Sequence, residues 1–272
     1  MQASTACHWI PGFPGRGNDE IDFNVTINLA NCYRLNTSSE RQNMRIYILR
    51  HGDPNYADDA LTPRGIPEAK ALANFMKHEQ VDELYASPRG RAQETASYTA
   101  NLMGKTFTTE DWTTELQPLC QHGYCEWDAH GHDIRNDDYL SDMHAYDKVP
   151  TIDPAWLESI HTTIRKDSDA FLAKFGYVRE NGVYRVTQPN DKRIAMFCHG
   201  GFGSAWVASL LEIPLPLMWS GFFMHTTSVT CILFDERKPG IAVPRCLYYG
   251  ALPHLYHEGI EPSQSGIKAN YD

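Results

Sequence analysis

Nothing in the 272-residue sequence approaches the uncharged apolar length needed to span a bilayer. The N-terminus lacks a basic segment followed by an apolar run, so no secretory signal is expected there. Basic residues are in deficit: 24 lysines and arginines face 34 acidic residues, a formal charge of −10. That balance argues against general nucleic-acid binding and against attachment to an anionic membrane. Regular cysteine spacing is missing too. The seven cysteines are odd in number and scattered, at Cys7, Cys32, Cys120, Cys125, Cys198, Cys231 and Cys246. The last three fall in apolar, strand-like runs and read as buried reduced thiols. No internal repeat or low-complexity tract is present. With 42% hydrophobic and 21% charged residues, the chain reads as a cytoplasmic globular enzyme able to bury a sizeable core.

Residues 1–43 differ from the rest, with Pro11, Gly12, Pro14, Gly15 and Gly17 followed by polar, Asn-rich text. They are expected to be a poorly ordered or loosely docked N-terminal extension, with Met44 as the natural start; a genuine tail packed on the domain is the alternative. Residues 44–272 read as one catalytic domain carrying a lid insertion at 117–190. A continuous apolar run at 46–49 suits a strand covered on both faces. Thr62-Pro63 opens a helix, residues 81–86 form a second strand, and Ser87-Pro88 opens a helix that Gly104 stops. A short strand is expected at 106–109. No periodicity runs through 117–152, where His122, His130, His132, His144, Trp127, Tyr139 and Tyr146 suggest an ordered lid. Asp153-Pro154 opens a long helix to about residue 175, and Asn181-Gly182 marks a hairpin expected to protrude from the main body. A buried strand at 193–198 leads into a helix ending near Leu211. Two more strands follow at 229–234 and 242–248. The alternation of strands and helices specifies an α/β class.

The chemistry gathers at strand ends, where ligands bind in open α/β sheets. The first strand stops at Arg50-His51-Gly52 and the strand at 193–198 stops at His199-Gly200. Arg50 can grip a phosphate through parallel charge-assisted hydrogen bonds. A neutral His51 can offer one ring nitrogen as a nucleophile while the other donates to a backbone carbonyl. Arg91 falls in the first turn of the helix after Ser87-Pro88, beside backbone N–H groups that favour an anion. Otherwise it is a surface arginine paired with Glu94 or Glu115. Glu115 follows the third strand and can protonate a departing oxygen if partial burial raises its pKa. Asp53, Glu126 and Asp128 remain alternatives for that acid. Together with a protonated His199, these groups suit phosphoryl transfer to a nitrogen nucleophile.

Leu49-Arg50-His51-Gly52, the stretch from Ser87 through Arg91 to Ala96, and Phe197-Cys198-His199-Gly200 resemble, in order and spacing, the motifs of the histidine phosphatase superfamily, the phosphoglycerate-mutase-like group. The resemblance implies a three-layer α/β/α sandwich with a mostly parallel central sheet. It implies His51 as the nucleophile, with Arg50, Arg91, His199 and Gly200 around the phosphate and Glu115 as general acid and then base. Asn55 is taken as a further phosphate-binding candidate. Where family mutases and many phosphatases carry Glu or Gln and then Ser or Thr after the glycine, this chain has Asp53-Pro54-Asn55-Tyr56. The Arg-x-Pro and His-Asp features of the phytase-like branch are absent.

The resulting expectation is a metal-independent phosphomonoesterase forming a phosphohistidine, with a small phosphorylated substrate, no cofactor and no metal. A phosphomutase and a phospho-ligand binding protein with little turnover are the competing readings. Oligomeric state is open, a homodimer being one outcome. Cys120, His122, Cys125, His130 and His132 lie close in sequence but match no closed zinc spacing. Trp206, Trp219, Phe222 and Phe223 read as core or lid packing, and His254 and His257 as solvated, the alternative being that they fold over the pocket.

Overall fold

The computed structural model describes residues 43–119 and 125–267. The reading of residues 1–43 as an extension therefore lies almost wholly outside the described residues, as do Cys120 and His122. Everything that positions the site starts from strand β1 (Arg45–Arg50), which is buried beyond its first residue. Ile46 and Ile48 enter one hydrophobic cluster, while Tyr47 and Leu49 enter another on the opposite face. Each such fully buried side chain contributes roughly 1.5–3 kcal/mol, which fixes the strand and aims whatever follows it.

On one side β1 pairs in parallel with β8 (Arg193–Cys198), with Arg45 opposite Arg193 and Arg50 opposite Cys198. Strand β4 (Glu83–Ala86) runs parallel to β8, with Ala86 opposite Phe197, and β5 (Phe107–Thr109) runs parallel to β4. This register brings His51, His199 and Ser87 out of neighbouring strands at one level. On its other side β1 pairs antiparallel with β9 (Val229–Lys238), which pairs with β10 (Ile241–Ala251). Adding the hairpin β6 (Tyr177–Glu180) and β7 (Val183–Val186) completes an eight-stranded sheet ordered β5-β4-β8-β1-β9-β10-β7-β6. A two-stranded piece, β2 (Pro54–Asn55) and β3 (Ala60–Leu61), lies beside it in the chain.

Helices cover both faces. Helix α1 (Gly65–His78) and α2 (Gly90–Met103) bring Leu72, Met76, Ala96 and Ala100 to the face of Tyr47 and Leu49. Helix α5 (Pro154–Ala173) and α6 (Gly200–Leu211) bring Leu157, Ile164, Phe171, Phe202 and Trp206 to the face of Ile46 and Ile48. The result is an α/β/α sandwich, parallel where it carries the site. Helix α6 is buried almost all round, as an apolar helix must be. The connection before α5 includes short helices α3 (Gly131–Ile134) and α4 (Asp137–Ser141), tied into the same core by Ile134, Tyr139, Val149 and Ile152. Helix α7 (Leu215–Gly221) follows α6, and α8 (Pro253–Glu258) follows β10.

The structure departs from the sequence expectations in three places. The hairpin around Asn181-Gly182 forms as expected, with Asn181 at φ +58°, but it extends the sheet rather than protruding. The reason is burial: Tyr177 and Tyr184 are wholly covered, with rings 4.8 and 5.3 Å from Phe234. His254, expected to be solvated, is buried in α8 with Nε2 3.1 Å from Thr227 Oγ1 and its ring 6.1 Å from Phe75. Burial pushes it down to about 4. Finally, α1 and α2 begin a little later than Pro63 and Pro88 suggest. Thr62 still caps in effect, its hydroxyl accepting from the Gly65 N–H at 3.1 Å. Ser87 Oγ accepts from the Arg89 N–H at 3.3 Å and also lies 2.7 Å from His199 Nε2.

Candidate active site

The site is built at the carboxyl ends of β1, β8 and β4. His51 follows β1 and is buried. Its Nδ1 lies 2.7 Å from the carbonyl of Gly52, an arrangement that puts the proton on Nδ1 and leaves Nε2 unprotonated. Gly52 is needed for a backbone reason: a Cβ there would stand 2.9 Å from the Gly65 carbonyl oxygen. The close approach is thus to the start of α1 rather than to a ligand. The Gly52 N–H donates to Thr95 Oγ1 at 3.0 Å, and that hydroxyl donates to the Arg91 carbonyl at 2.7 Å. One threonine therefore couples the turn after β1 to the first turn of α2.

Arg91 is only 8% exposed, which excludes the surface-arginine alternative. It pairs with Asp59 rather than Glu94 or Glu115, through Nη1 at 2.5 Å. Its Nε donates to His51 Nε2 at 3.2 Å and its Nη2 to His199 Nδ1 at 3.2 Å. One guanidinium spans both imidazoles. The two rings lie 5.2 Å apart, centroid to centroid, at 62°. His199 Nε2 is 2.7 Å from Ser87 Oγ, which closes the network across β4, β8 and β1.

Arg50 reaches the same hollow from the other side. Its Nη1 donates to the Met224 carbonyl at 2.6 Å and its Nη2 to the Ser265 carbonyl at 3.2 Å. Its buried Nε has no hydrogen-bond partner. A buried unsatisfied donor is expensive unless something arrives to meet it. This one lies beside Gly200, whose added Cβ would sit 3.5 Å from it.

Electrostatics follow from burial. Burial first, then the nearby guanidiniums of Arg50 and Arg91, hold His51 well below the ordinary histidine range. His199 is held down in the same way by burial, then by His51 and the arginines. Both imidazoles are therefore neutral at pH 7 in the free protein. For His199 this revises the expectation of a protonated donor: a cationic hollow disfavours a third cation until an anion enters.

Glu115 sits at the N-terminus of α6. Its Oε1 accepts from the N–H groups of Phe202 at 2.9 Å and Leu116 at 3.1 Å, and its Oε2 from Gly201 at 3.4 Å. Burial raises its pKa, while the backbone donors pull it back only in part. Gly201 matters because a Cβ would stand 2.7 Å from the Trp127 ring and 3.0 Å from Glu115 Oε1. Arg50, Arg91, Glu115 and Gly200 all line one cavity of about 410 Å³. That size lies within the range of small-molecule sites.

These strand ends coincide with a sequence match to the histidine phosphatase superfamily (branch 1) across residues 46–245. The chain belongs to the histidine phosphatase superfamily. A protein of Hydrogenobacter thermophilus named "Putative phosphoserine phosphatase 2" is 30% identical over 206 residues, 71% of this chain and 91% of that protein. The adenosylcobalamin/alpha-ribazole phosphatase of Salmonella typhi is 25% identical, over 65% of this chain and 84% of its own length. In fold, the chain is similar to a phosphoserine phosphatase mutant of Entamoeba histolytica in complex with phosphoserine. That similarity has a TM-score of 0.54 at 22% identity, covering 78% of this chain and 99% of that one.

The remaining candidates of this histidine phosphatase superfamily member fall as follows. Asp53 does not line the cavity, its carboxylate accepting from the hydroxyls of Thr62 and Ser263. Glu126 is buried and accepts from the Leu119 N–H at 3.0 Å. Asp128 does line the cavity. Asn55 does not: its amide donates to Asp58 at 2.8 Å and accepts from the Ala57 N–H, so it staples the loop after β2. The neighbouring Tyr56 lines the cavity instead, with its ring 5.3 Å from the Arg91 guanidinium. His130, His132 and Asp133 bring donor atoms within 4.8 Å of one another, away from the cavity walls.

Sequence reading missed Asp59, the partner that orients Arg91. Burial opposes its charge, but the Gly90 N–H and Arg91 together hold its carboxylate below the usual range. No spacing in Ala57-Asp58-Asp59-Ala60 distinguishes Asp59 from Asp58. It also missed the segment near Ser265, whose carbonyl holds Arg50. Among the described residues, no helix is long and apolar enough to cross a membrane.

Proposed function

We propose that the protein is a phosphomonoesterase that works through a phosphohistidine formed on His51. The observation that carries this reading is the Nδ1 contact to the Gly52 carbonyl, which leaves an unprotonated Nε2 beside the Arg91 guanidinium. Nε2 attacks phosphorus, and the bond from phosphorus to the ester oxygen breaks. Glu115 gives its proton to the departing alcohol, which suits a carboxyl raised by burial. Glu115 then takes a proton from water as water attacks the phosphohistidine, releasing inorganic phosphate and restoring His51. The Arg50 Nε and the Arg91 guanidinium neutralise the charge spread over the transferring oxygens. The arriving dianion favours a protonated His199, which then donates as well. Relatives that are named as phosphatases favour hydrolysis over return of the phosphoryl group to an acceptor. Their names differ in substrate and leave the alcohol open.

Protein mixed with radiolabelled substrate and quenched in alkaline detergent should yield a phosphoenzyme stable in alkali and labile in acid, with the label in the peptide containing His51. A label on serine, or none during steady turnover, would overturn this reading. Glu115→Gln is expected to lower kcat on alkyl phosphates by roughly 10²- to 10³-fold, the range for losing a general acid. With p-nitrophenyl phosphate, whose leaving group needs no proton, the first step should slow less than about tenfold, measured as the nitrophenol burst. Equal losses on both would move the acid role to Asp128.

A further inference from the structure

The cavity is far larger than a phosphate group requires, and its walls have a definite character. Beyond Arg50 and Arg91 it is lined by Tyr56, Trp127, Trp219, Phe222 and Phe223, with Asp128 among them. Several of these rings are held before any ligand arrives. Trp219 Nε1 donates to the Gly201 carbonyl at 3.2 Å, and the ring packs 5.8 Å from Trp156 and 6.5 Å from Trp127. Phe222 packs 5.3 Å from Tyr249, and Phe223 lies 5.8 Å from the Arg50 guanidinium.

Charge is just as selective. Among the described residues, Arg50 and Arg91 are the only lysines or arginines lining this cavity, and both are committed to the phosphate end. The carboxyls in its walls are those of Glu115 and Asp128. The N–H groups of Gly201 and Phe202 are already taken by Glu115. A carboxylate on the leaving alcohol would lose water there and find acids rather than cations, a costly burial. An uncharged ring would lose water against fixed aromatic faces, which is favourable.

We infer that the substrates are phosphate monoesters of alcohols carrying an uncharged aromatic ring, in preference to carboxylated alcohols such as serine or glycerate. This rests on the phosphomonoesterase reading and deepens it. Phosphate release from 2-phenylethyl phosphate, O-phosphoserine and 3-phosphoglycerate tests it, because all are alkyl esters with poor leaving groups. In the wild type, kcat/KM should be about tenfold or more higher for the phenylethyl ester, carried mainly by a lower KM. Trp127→Ala should shrink that ratio several-fold, and Asp128→Lys should shift it toward 3-phosphoglycerate. If Trp127→Ala does not fold, Phe223→Ala serves the same purpose. Equal or better turnover of the carboxylated esters by the wild type would overturn the inference, as would an unchanged ratio in a folded Trp127→Ala variant. Acetyl phosphate, with neither ring nor carboxylate, separates the two claims. If it labels His51 while phosphoserine outruns the phenylethyl ester, the substrate class falls and the phosphatase reading stands. No label from any of these compounds would overturn both.

Discussion

His51→Ala is expected to abolish phosphate release, a loss on the order of 10⁴-fold or more, as when a covalent nucleophile is deleted. No nearby group can substitute. His199 has its Nδ1 engaged by Arg91 and its Nε2 by Ser87. The fold should survive, because β1 is anchored by Ile46, Tyr47, Ile48 and Leu49 rather than by the imidazole. Inorganic phosphate should still bind with a Kd within about tenfold of wild type, since both arginines remain. Turnover within tenfold of wild type, measured as phosphate release, would exclude a nucleophilic role for His51.

Arg91→Ala should reduce kcat/KM by roughly 10²- to 10³-fold, the scale for removing one preorganised donor to developing charge. Arg91→Lys should recover little. A single ammonium cannot reach His51, His199 and Asp59 from one planar fork. The variant also has a pH signature. Burial is the main force holding His51 neutral, with the charges of Arg50 and Arg91 adding to it. Removing the Arg91 charge makes protonation of His51 easier, so its pKa rises. Protonated His51 has no lone pair to attack phosphorus, so the acidic limb of the kcat/KM profile should move to higher pH. A limb that stays in place while the rate falls would mean that Arg91 does not contact the titrating nucleophile.

The parts of this architecture legible in the sequence were those specified by local chemistry. A strand such as β8 announces itself as an apolar run, and it ends where Cys198 gives way to His199 and Gly200. The start of α5 is written in Asp153, whose carboxylate accepts from the Trp156 N–H at 2.7 Å. Arg50, His51 and His199 could be singled out because each stands at or directly after such a strand end, and Arg91 because it falls in the first turn of the helix after β4. Glu115 was marked the same way, though its bonds to the α6 backbone were not foreseeable. The placement of the β6–β7 hairpin was misjudged because turn chemistry defines a hairpin and says nothing of which sheet edge receives it. His254 was misjudged because a single histidine carries no periodic signal of the face it turns inward.

By itself the sequence determined an α/β chain whose strands end in paired imidazoles and guanidiniums, because strand ends and helix starts are set by neighbours a few residues apart. Tertiary structure alone decided that Arg91 turns to Asp59, that His199 turns to Ser87, and that the carbonyls of Met224 and Ser265 hold Arg50. It also decided that five aromatic side chains from three separate segments wall one cavity. Such contacts join residues tens to hundreds of positions apart. Packing and register bring them together, and no local pattern encodes that meeting.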